Sequence, residues 1–442
     1  MGKLSFRGGI HPLHDRHEGK EPTRGKPIRA YVAKTVSIPM DMHIGAPSNP
    51  IVKKGDRVLM GQRIADPVGG IGVPVHASVS GTVTAIAEQQ MLHKNPSLCI
   101  TIENDGLDEW TQLAPLGTVE EADKAAIIPA IKAAGICGMG GACFPTHIKL
   151  SPPADKKIDT ILLNGAECET FLTADFRLML EEPERIVDGL RAAMRAMDVN
   201  RGVICIEDNK PEAIEAMKKA ASGRTGVEVA TMRTKYPQGC EKQIITAVTG
   251  REVPSGGLPM DAGAVVLNVA TAAAIADAVT LGRPSIERIT TVTGAVNQPD
   301  NLLLRVGTSI ADAVEACGGY AREPGKIFFG GSMTGNCAPD DQASITKANN
   351  GVVVLDQKEA VLAAETNCIR CGRCIDACPA RLNPYQMKRA YVLEKFDEME
   401  KDLHVNDCIV CGACSYICPA RQYLTPAFKE VKDKIAARRA SK

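Results

Sequence analysis

Two cysteine runs of identical spacing near the C-terminus constrain this chain more than any other feature. The first, CIRCGRCIDACP, covers residues 368–379, and the second, CIVCGACSYICP, covers residues 408–419. Both have the spacing Cys-x2-Cys-x2-Cys-x3-Cys-Pro, which is typical of bacterial ligand runs for [4Fe–4S] clusters. Three cysteines this close together reach three irons of one cubane cluster, while the fourth is held to one side and reaches the neighbouring cluster.

This crossed pattern divides the eight cysteines into two predicted ligand sets. The first cluster is predicted to be bound by Cys368, Cys371, Cys374 and Cys418. The second is predicted to be bound by Cys408, Cys411, Cys414 and Cys378. Zinc and disulfides are the alternatives, and two Cys-x2-Cys pairs would also supply the four ligands of zinc. The duplicated run with its closing proline favours iron–sulfur clusters, and two clusters in series indicate transfer of single electrons.

The composition argues against several other classes of function. The chain of 442 residues has 52 basic and 52 acidic residues, so its charge gives no indication of nucleic-acid binding. Aromatic residues make up 4% of the chain, which argues against surfaces that stack bases. Thiolate ligands for clusters indicate a reducing compartment. The N-terminal segment has no apolar core and the most apolar window, residues 262–281, is interrupted by polar residues, so we expect neither a secretion signal nor a membrane span.

The pattern of apolar residues predicts a multidomain α/β protein. Short alternating runs separated by turns predict an all-β domain at residues 27–105. Its segments VKKGDRVLMGQRIAD and VPVHASVSGTVTAI resemble the barrel-sandwich hybrid of biotinyl and lipoyl carriers, although residues 74–77 have no lysine where those carriers have theirs. Helices that alternate with apolar strands predict a Rossmann-like α/β domain at residues 120–285. Ligands of such sheets bind at the carboxyl ends of the strands.

The remaining segments complete the predicted domain order. Two strands and a helix predict a β-grasp unit of the SLBB type at residues 286–325. Residues 363–425 are predicted to form the two-cluster ferredoxin-like module, which we expect to be α-helical because the stretch between the cysteine runs is helical in pattern, with Pro384 in its first turn. The other predicted segments are an extended N-terminal arm at 1–26, a connecting segment at 326–362 and a C-terminal helix or tail at 426–442.

A glycine-rich loop, GICGMGGACFPTHIK, follows a predicted helix and covers residues 135–149. Gly138, Gly140 and Gly141 leave the backbone N–H groups unobstructed, so that these groups can converge on a phosphate. A single glycine-rich loop is also compatible with a tight turn or with close packing. The loop by itself therefore leaves a nucleotide or flavin site and a purely structural role as alternatives.

Three later segments place the loop in a family context. They are NGAECE at residues 164–169, YPQGCE at residues 236–241 and NVAT at residues 268–271. Together with the loop, and in the same order, they resemble the flavin-binding segments of the NADH-oxidising subunit of respiratory complex I. With the carrier-like N-terminal domain, the β-grasp unit and the cluster module added, the whole chain resembles the RnfC family, the peripheral subunits of Rnf ferredoxin:NAD+ oxidoreductase complexes.

This resemblance implies FMN as a cofactor beside the two [4Fe–4S] clusters, and NAD(H) as the substrate. The residues implied to bind FMN are Gly138, Gly140, Gly141, Lys149, Asn164, Glu167, Gly239, Glu241 and Asn268. Glu169 is implied to face the nicotinamide, and Phe144 to shape the NADH pocket. The implied partners are a ferredoxin-accepting iron–sulfur subunit and integral membrane subunits, with this chain bound on the cytoplasmic side of the cell membrane. No catalytic acid or base is implied, because the cofactors carry the chemistry.

Alternatives remain for single residues and for the function as a whole. Phe144 could be a core residue, and Lys149 and Glu241 could be solvated on a surface helix. The chain has Met139, Ala166 and Cys240 where complex I has Arg, Asp and Glu. These departures suggest the hypothesis of a cluster-bearing scaffold without flavin. An RnfC-like cobalamin reductase of bacterial microcompartments is the other alternative function.

Overall fold

The computed structural model describes residues 4–12, 18–92 and 96–440. Parts of the predicted N-terminal arm, residues 1–3 and 13–17, and the last two residues of the predicted C-terminal tail lie outside the described residues. The described strands form four sheets, and a group of helices follows them at the C-terminal end. The predicted fold class is confirmed: a sandwich-like β domain, an α/β domain, a further β unit and an α-helical cluster module.

The N-terminal β domain consists of two small antiparallel sheets that share one core. The elements of this region are α1 (Glu21–Arg24), β1 (Ile28–Tyr31), β2 (Thr35–Pro39), β3 (Asn49–Pro50), β4 (Arg57–Val58), β5 (Arg63–Asp66), β6 (Val75–His76), β7 (Gly81–Gln89) and β8 (Ser97–Asn104). One sheet has the order β2-β8-β7-β4 and the other has the order β3-β5-β6. Alternate residues point inward, so that Val36 and Ile38 of the first sheet pack in the same buried cluster as Ile64 of the second.

Four parallel strands form the centre of the α/β domain, in the order β11-β10-β9-β12. Its elements are α2 (Lys124–Ala133), α3 (Thr146–Lys149), β9 (Thr160–Gly165), α4 (Ala174–Glu181), α5 (Pro183–Met197), β10 (Gly202–Glu207), α6 (Pro211–Ala221), β11 (Val227–Met232), α7 (Glu241–Thr249), β12 (Ala264–Asn268) and α8 (Val269–Thr280). Strands β9, β10 and β12 are almost continuously apolar because helices cover both faces of the sheet. Asn164 of β9 pairs in register with Asn268 of β12, which brings two polar side chains to the carboxyl edge.

The third unit is a six-stranded sheet, and it corrects two predicted boundaries. Its own elements are β13 (Glu287–Gly294), β14 (Asp300–Arg305), α9 (Ile310–Glu315), β15 (Pro324–Phe329), β16 (Asn336–Cys337) and β17 (Gly351–Asp356), in the order β1-β14-β13-β17-β15-β16. Residues 326–362 therefore contribute strands to this sheet and are not a connecting segment. Strand β1, which the sequence pattern assigns to the barrel-sandwich domain, pairs with β14. Both errors arise because strand partners far apart in the chain leave no mark in a local pattern.

The C-terminal module is α-helical, as predicted. Its helices are α10 (Arg373–Ala377), α11 (Pro384–Val392), α12 (Phe396–Lys401), α13 (Ala413–Tyr416) and α14 (Leu424–Ala440). The stretch between the cysteine runs forms two helices instead of one, with Glu394 in the left-handed region between them. Phe428 and Val431 of α14 pack in the buried core of the module against Met387, so the predicted tail is a structural part of it. Within the described residues, no helix is both long and apolar enough to cross a bilayer.

The N-terminal arm connects the α/β domain to the cluster module. Ile10 forms an antiparallel bridge with Tyr236, and Gly9 N donates to Ala377 O at 2.9 Å. Farther along, the fully buried Lys20 donates to the carbonyl oxygens of Glu167 at 2.5 Å and Leu172 at 3.1 Å. The described parts of the arm are therefore packed against both units. The composition predicted an extended arm and gave no indication of these contacts.

Candidate functional site

A cavity of about 470 Å³ opens at the carboxyl edge of the parallel sheet, between the glycine-rich loop and the start of α7. Its walls include the predicted residues Gly138, Gly140, Gly141, Phe144, Lys149, Asn164, Gly239, Glu241 and Asn268. Most of the wall is apolar, and the volume lies in the range of small-molecule and cofactor sites. The fold thus collects, around one opening, residues that are about 130 positions apart in the chain.

The glycine loop is a short hairpin held in place by hydrogen bonds. Gly138 N donates to Phe144 O at 2.8 Å, Met139 N donates to Thr271 Oγ1 at 2.9 Å, and Arg288 donates to Met139 O at 3.0 Å. The Met139 side chain itself is buried in the apolar core of the α/β domain. Methionine in place of the arginine of complex I therefore adds a core contact at this position. The shape of the loop is kept by the hydrogen bonds of its backbone.

Gly141 is the position of the loop that most requires glycine. Its φ of +141° is strained for other residues, and a Cβ built there would meet nothing within 4 Å, because it would project into open space. Such an open, unobstructed backbone is what the close approach of a flat ring or a phosphate needs. The cavity at this point accordingly fits a flavin.

The two asparagines at the strand ends hold neighbouring loops in position. Asn164 Nδ2 donates to Gly239 O at 2.8 Å. Asn268 Oδ1 accepts from Ala270 N at 2.8 Å and so caps α8, while its Nδ2 donates to Asp175 at 2.6 Å. Both amides therefore support the cavity wall through bonds within the protein.

One end of the cavity is suited to an anion. The first turn of α7, residues 241–242, lines this end, and a helix N-terminus carries a partial positive charge. Lys149 Nζ lies beside it, donating to Val266 O at 2.8 Å and standing 3.3 Å from Glu241 Oε1. The ion pair keeps Lys149 in place at the wall, next to where a phosphate group would meet the helix end.

Glu167, predicted beside the flavin ring, does not line this cavity. Its carboxylate accepts from Asp175 N at 2.7 Å and Phe176 N at 3.2 Å, at the beginning of α4. The left-handed backbone of Glu167, with φ of +45°, turns the chain after β9. Burial raises the pKa of Glu167 to about 7, against the opposing attraction of the Lys20 ammonium.

Glu169, predicted to face the nicotinamide, lines a second cavity of about 720 Å³ between the α/β domain, the N-terminal β domain and the six-stranded sheet. Its carboxylate accepts from Met333 N at 3.1 Å and from the Thr334 hydroxyl. Burial raises the pKa of Glu169, against these hydrogen bonds, which lower it. Gly140, Gly141 and Cys143 line both cavities, so the glycine loop is the partition between them.

Each predicted cysteine set lines a cavity of its own. One cavity is bordered by Cys368, Cys371, Cys374 and Cys418. The other is bordered by Cys378, Cys408, Cys411 and Cys414. Four cysteines that border one cavity match the number and type of donors of an iron–sulfur cluster, and each set borders its cavity in the predicted crossed combination.

The two cysteine runs also repeat their backbone conformation. Arg370 and Val410 are left-handed, with φ of +55° in both, and Gly372 and Gly412 follow with φ of +79° and +81°. Arg370 and Val410 occupy the same position in their runs, and so do Gly372 and Gly412. The two runs therefore share their backbone conformation as well as their cysteine spacing. Glycine meets the conformational demand at the second of these positions in each run.

The second cysteine cavity adjoins the flavin-type cavity. Ile409, between two of its cysteines, lines both. Tyr236, only 2% exposed, donates its hydroxyl to Cys411 O at 2.6 Å, and Gly239 N donates to Cys168 Sγ at 3.1 Å. Sequence reasoning assigns no role to Tyr236 or Ile409, although Tyr236 belongs to one of the matched segments.

Four family models match the chain in consecutive order. They are the RnfC barrel sandwich hybrid domain at residues 4–107, the Nuo51 FMN-binding domain at residues 131–277, the SLBB domain at residues 289–336 and a 4Fe-4S dicluster domain at residues 360–419. The FMN-binding match covers the cavity residues, and the dicluster match covers both cysteine sets. The chain accordingly has sites for FMN and for [4Fe–4S] clusters.

Curated relatives extend the similarity over nearly the whole chain. The C subunit of the Na(+)-translocating ferredoxin:NAD(+) oxidoreductase complex of Acetobacterium woodii is 45% identical over 90% of this chain and 90% of its own length. The corresponding C subunit of the proton-translocating complex of Clostridium ljungdahlii is 45% identical over 91% and 88%. Among solved structures, an NAD+-reducing [NiFe]-hydrogenase in the H2-reduced state shares the fold, with a TM-score of 0.53 at 21% identity over 74% of this chain and 69% of that chain.

Proposed function

Because this chain belongs to the RnfC family, the C subunits of ion-translocating ferredoxin:NAD(+) oxidoreductase complexes, we propose that it passes electrons between NAD(H) and a ferredoxin-linked partner. It is an oxidoreductase component that uses FMN and two [4Fe–4S] clusters. When bound, FMN supplies the exchange between a hydride pair and single electrons, which clusters alone cannot perform. The protein's part is to position the groups and to exclude water.

The proposed roles of the cavity residues follow from their contacts. The loop of Gly138, Gly140 and Gly141 offers backbone that the ring system can approach closely, and the wall behind it is apolar. Lys149 and the N-terminal turn of α7 hold the phosphate end. Glu169 lies across the partition in the second cavity, which we propose receives part of the dinucleotide.

A single structural observation carries the proposal: the flavin-type cavity and one cluster cavity share the wall residue Ile409. A hydride-accepting site and a one-electron conductor must adjoin for electrons to pass between them, and here they do so within one chain. The cluster of Cys378, Cys408, Cys411 and Cys414 is therefore the inner one in our proposal, and that of Cys368, Cys371, Cys374 and Cys418 is the outer one.

The outer cluster marks the side where a partner docks in this proposal. Cys368 and Cys371 are exposed, and Ile369 between them is 67% exposed. Val361 and Leu362, just before the module, are also largely exposed. An apolar rim around an accessible cluster suits contact with an iron–sulfur protein that accepts electrons from ferredoxin. We place the chain, with its integral membrane partners, on the cytoplasmic side of the membrane, where NAD(H) is available.

Anaerobic reconstitution of the clusters, followed by titration with NADH, tests this function. We expect bound FMN whose visible absorbance bleaches on addition of NADH. A Cys371→Ser variant serves as the control, because it disrupts the outer cluster and leaves the flavin-type cavity untouched, so its flavin should bleach as in the wild type. Protein with both clusters and no flavin response to NADH would contradict the proposal and favour a scaffold without flavin.

A further inference from the structure

We propose that Cys137 and Cys143 form a redox-active dithiol, which closes to an intrachain disulfide on reaction with a low-molecular-weight disulfide. Both residues lie in the glycine hairpin, where Cys137 is bridged to Pro145 and the Gly138 N–H is bonded to Phe144 O. Their side chains belong to one small buried cluster with Val73. Each thiol is the largest influence on the pKa of the other. The fold therefore places both thiols in one buried cluster within the hairpin.

A buried lysine distinguishes this pair from ordinary buried cysteines. Lys347 is 2% exposed, and its Nζ donates to Gly135 O at 2.6 Å. The Cys137 thiol donates to the same oxygen at 4.0 Å, so the ammonium and the thiol meet at one carbonyl. Among the described residues, the ionisable groups whose attraction acts on Lys347 are the two thiols. Burial lowers the pKa of Lys347, and attraction to the two sulfurs opposes that effect.

The electrostatics make Cys137 the more acidic of the two thiols. The hydrogen bond from Cys143 lowers the pKa of Cys137, and attraction to Lys347 acts in the same direction against burial. The same hydrogen bond, together with burial, raises the pKa of Cys143. His76, which lies beside Gly135, has its pKa lowered to about 3 by burial and so stays neutral. Cys137 is thus the more acidic thiol of the pair, and it lies next to Lys347.

Cys143 is the thiol that a reagent reaches first, because it lines both cavities while Cys137 is fully buried. Cys143 transfers its proton to Cys137 and attacks one sulfur of the reagent, whose S–S bond breaks to give a mixed disulfide and a thiolate. That thiolate takes the proton from Cys137. The Cys137 thiolate then attacks Cys143 Sγ, which forms the Cys137–Cys143 disulfide and breaks the bond to the second reagent sulfur; that sulfur leaves as a thiolate and is protonated by solvent. The dithiol loses two electrons, and the reagent becomes two thiols.

The other buried cysteines of the chain provide internal controls. Burial raises the pKa of Cys205, and it raises the pKa of Cys317 to about 12. Cys205 donates to Val203 O, and among the described residues no second thiol shifts the pKa of Cys205 or of Cys317. Such thiols are inert fillers. The proposal therefore predicts reaction at the hairpin pair and none at these two positions.

Peptide mapping of the anaerobically purified holoprotein tests the proposal. Cleavage after Lys132 and Lys149 releases residues 133–149, which contain Cys137 and Cys143 and no other cysteine. After treatment with cystamine, acid quenching and alkylation with N-ethylmaleimide, we expect this peptide to lose both alkyl groups and to regain them after dithiothreitol. The peptides with Cys205 and Cys317 should remain fully alkylated.

Two variants test the chemistry behind this result. In Cys143→Ser, Cys137 should keep its alkyl group after cystamine treatment, because its disulfide partner is gone. In Lys347→Met, the disulfide should form more slowly than in the surface control Lys358→Met. A wild-type peptide that stays doubly alkylated, or that stops at a stable cysteamine adduct on Cys143, overturns the proposal. Because these two outcomes are read from the wild type, the test does not depend on whether a variant folds.

Discussion

The Lys149→Ala substitution gives the most direct test of the phosphate end of the cavity. Lys149 Nζ is held by Val266 O at 2.8 Å and by Glu241 at 3.3 Å, with the side chain 26% exposed. A hydrogen bond to a charged group contributes about 1.5–3 kcal/mol. Since this lysine is partly solvated and already shares its charge with Glu241, we take about 1–2 kcal/mol for its contribution to FMN binding, after allowing for solvent screening.

This free energy corresponds to FMN binding that is about 5- to 30-fold weaker in the variant. Quenching of FMN fluorescence, titrated into protein freed of flavin, measures the dissociation constant directly. Iron and acid-labile sulfide should be unchanged, because both cysteine cavities lie in another module. Lys219→Ala, an exposed lysine on α6, is the matched control and should bind FMN as the wild type does. Equal dissociation constants for Lys149→Ala and the control would refute the role of Lys149.

Three further substitutions probe other contacts. Tyr236→Phe removes the hydroxyl that donates to Cys411 O, so we expect a loss of about 1 kcal/mol in unfolding free energy and faster iron loss to a chelator; unchanged iron release would contradict this role. Gly189→Ala would place a Cβ 1.7 Å from Ala272 O, so the melting temperature should fall by several degrees. An unchanged melting temperature would contradict the close packing of α5 against α8. Burial raises the pKa of Glu167 from its ordinary 4.5 to about 7, so the folded wild type binds a proton that the unfolded chain has lost, and its stability falls as the pH rises from 4.5 to 7. Glu167→Gln has no such proton and should gain stability relative to the wild type over this pH range. A difference in melting temperature that does not change with pH would contradict this.

Local patterns predicted the sites better than they predicted the sheets. The cluster cysteines were assigned from spacing alone because a cubane cluster takes its ligands from one short run and one distant partner, and the structure gathers each assigned set around its own cavity. The helices and strands of the α/β domain follow from apolar runs and prolines at helix starts, as at Pro183 and Pro211. The positions of β1 and β17 in the six-stranded sheet depend on distant partners, so no local signal indicated them.

Side-chain direction was the other quantity that the sequence could not supply. Glu167 follows a strand end, where ligands are expected, but the left-handed turn at this residue directs its carboxylate to the start of α4. Lys347 is separated from Cys137 by about two hundred residues, so their meeting at Gly135 O becomes visible only in the folded chain. Ile409 lies between two cluster ligands in the sequence, and only the structure places it on the wall of the flavin-type cavity.

The central claim, that hydride pairs and single electrons are exchanged inside one chain, is tested by counting NADH. Holoprotein with FMN and both clusters is fully reduced under anaerobic conditions, freed of reductant and mixed with excess NAD+, and the NADH formed is measured by its absorbance. FMN stores two electrons and each cluster stores one, so the account predicts more than one NADH per chain, approaching about two. A yield that does not exceed one NADH per chain would show that the clusters do not deliver electrons to the flavin, and would contradict the account.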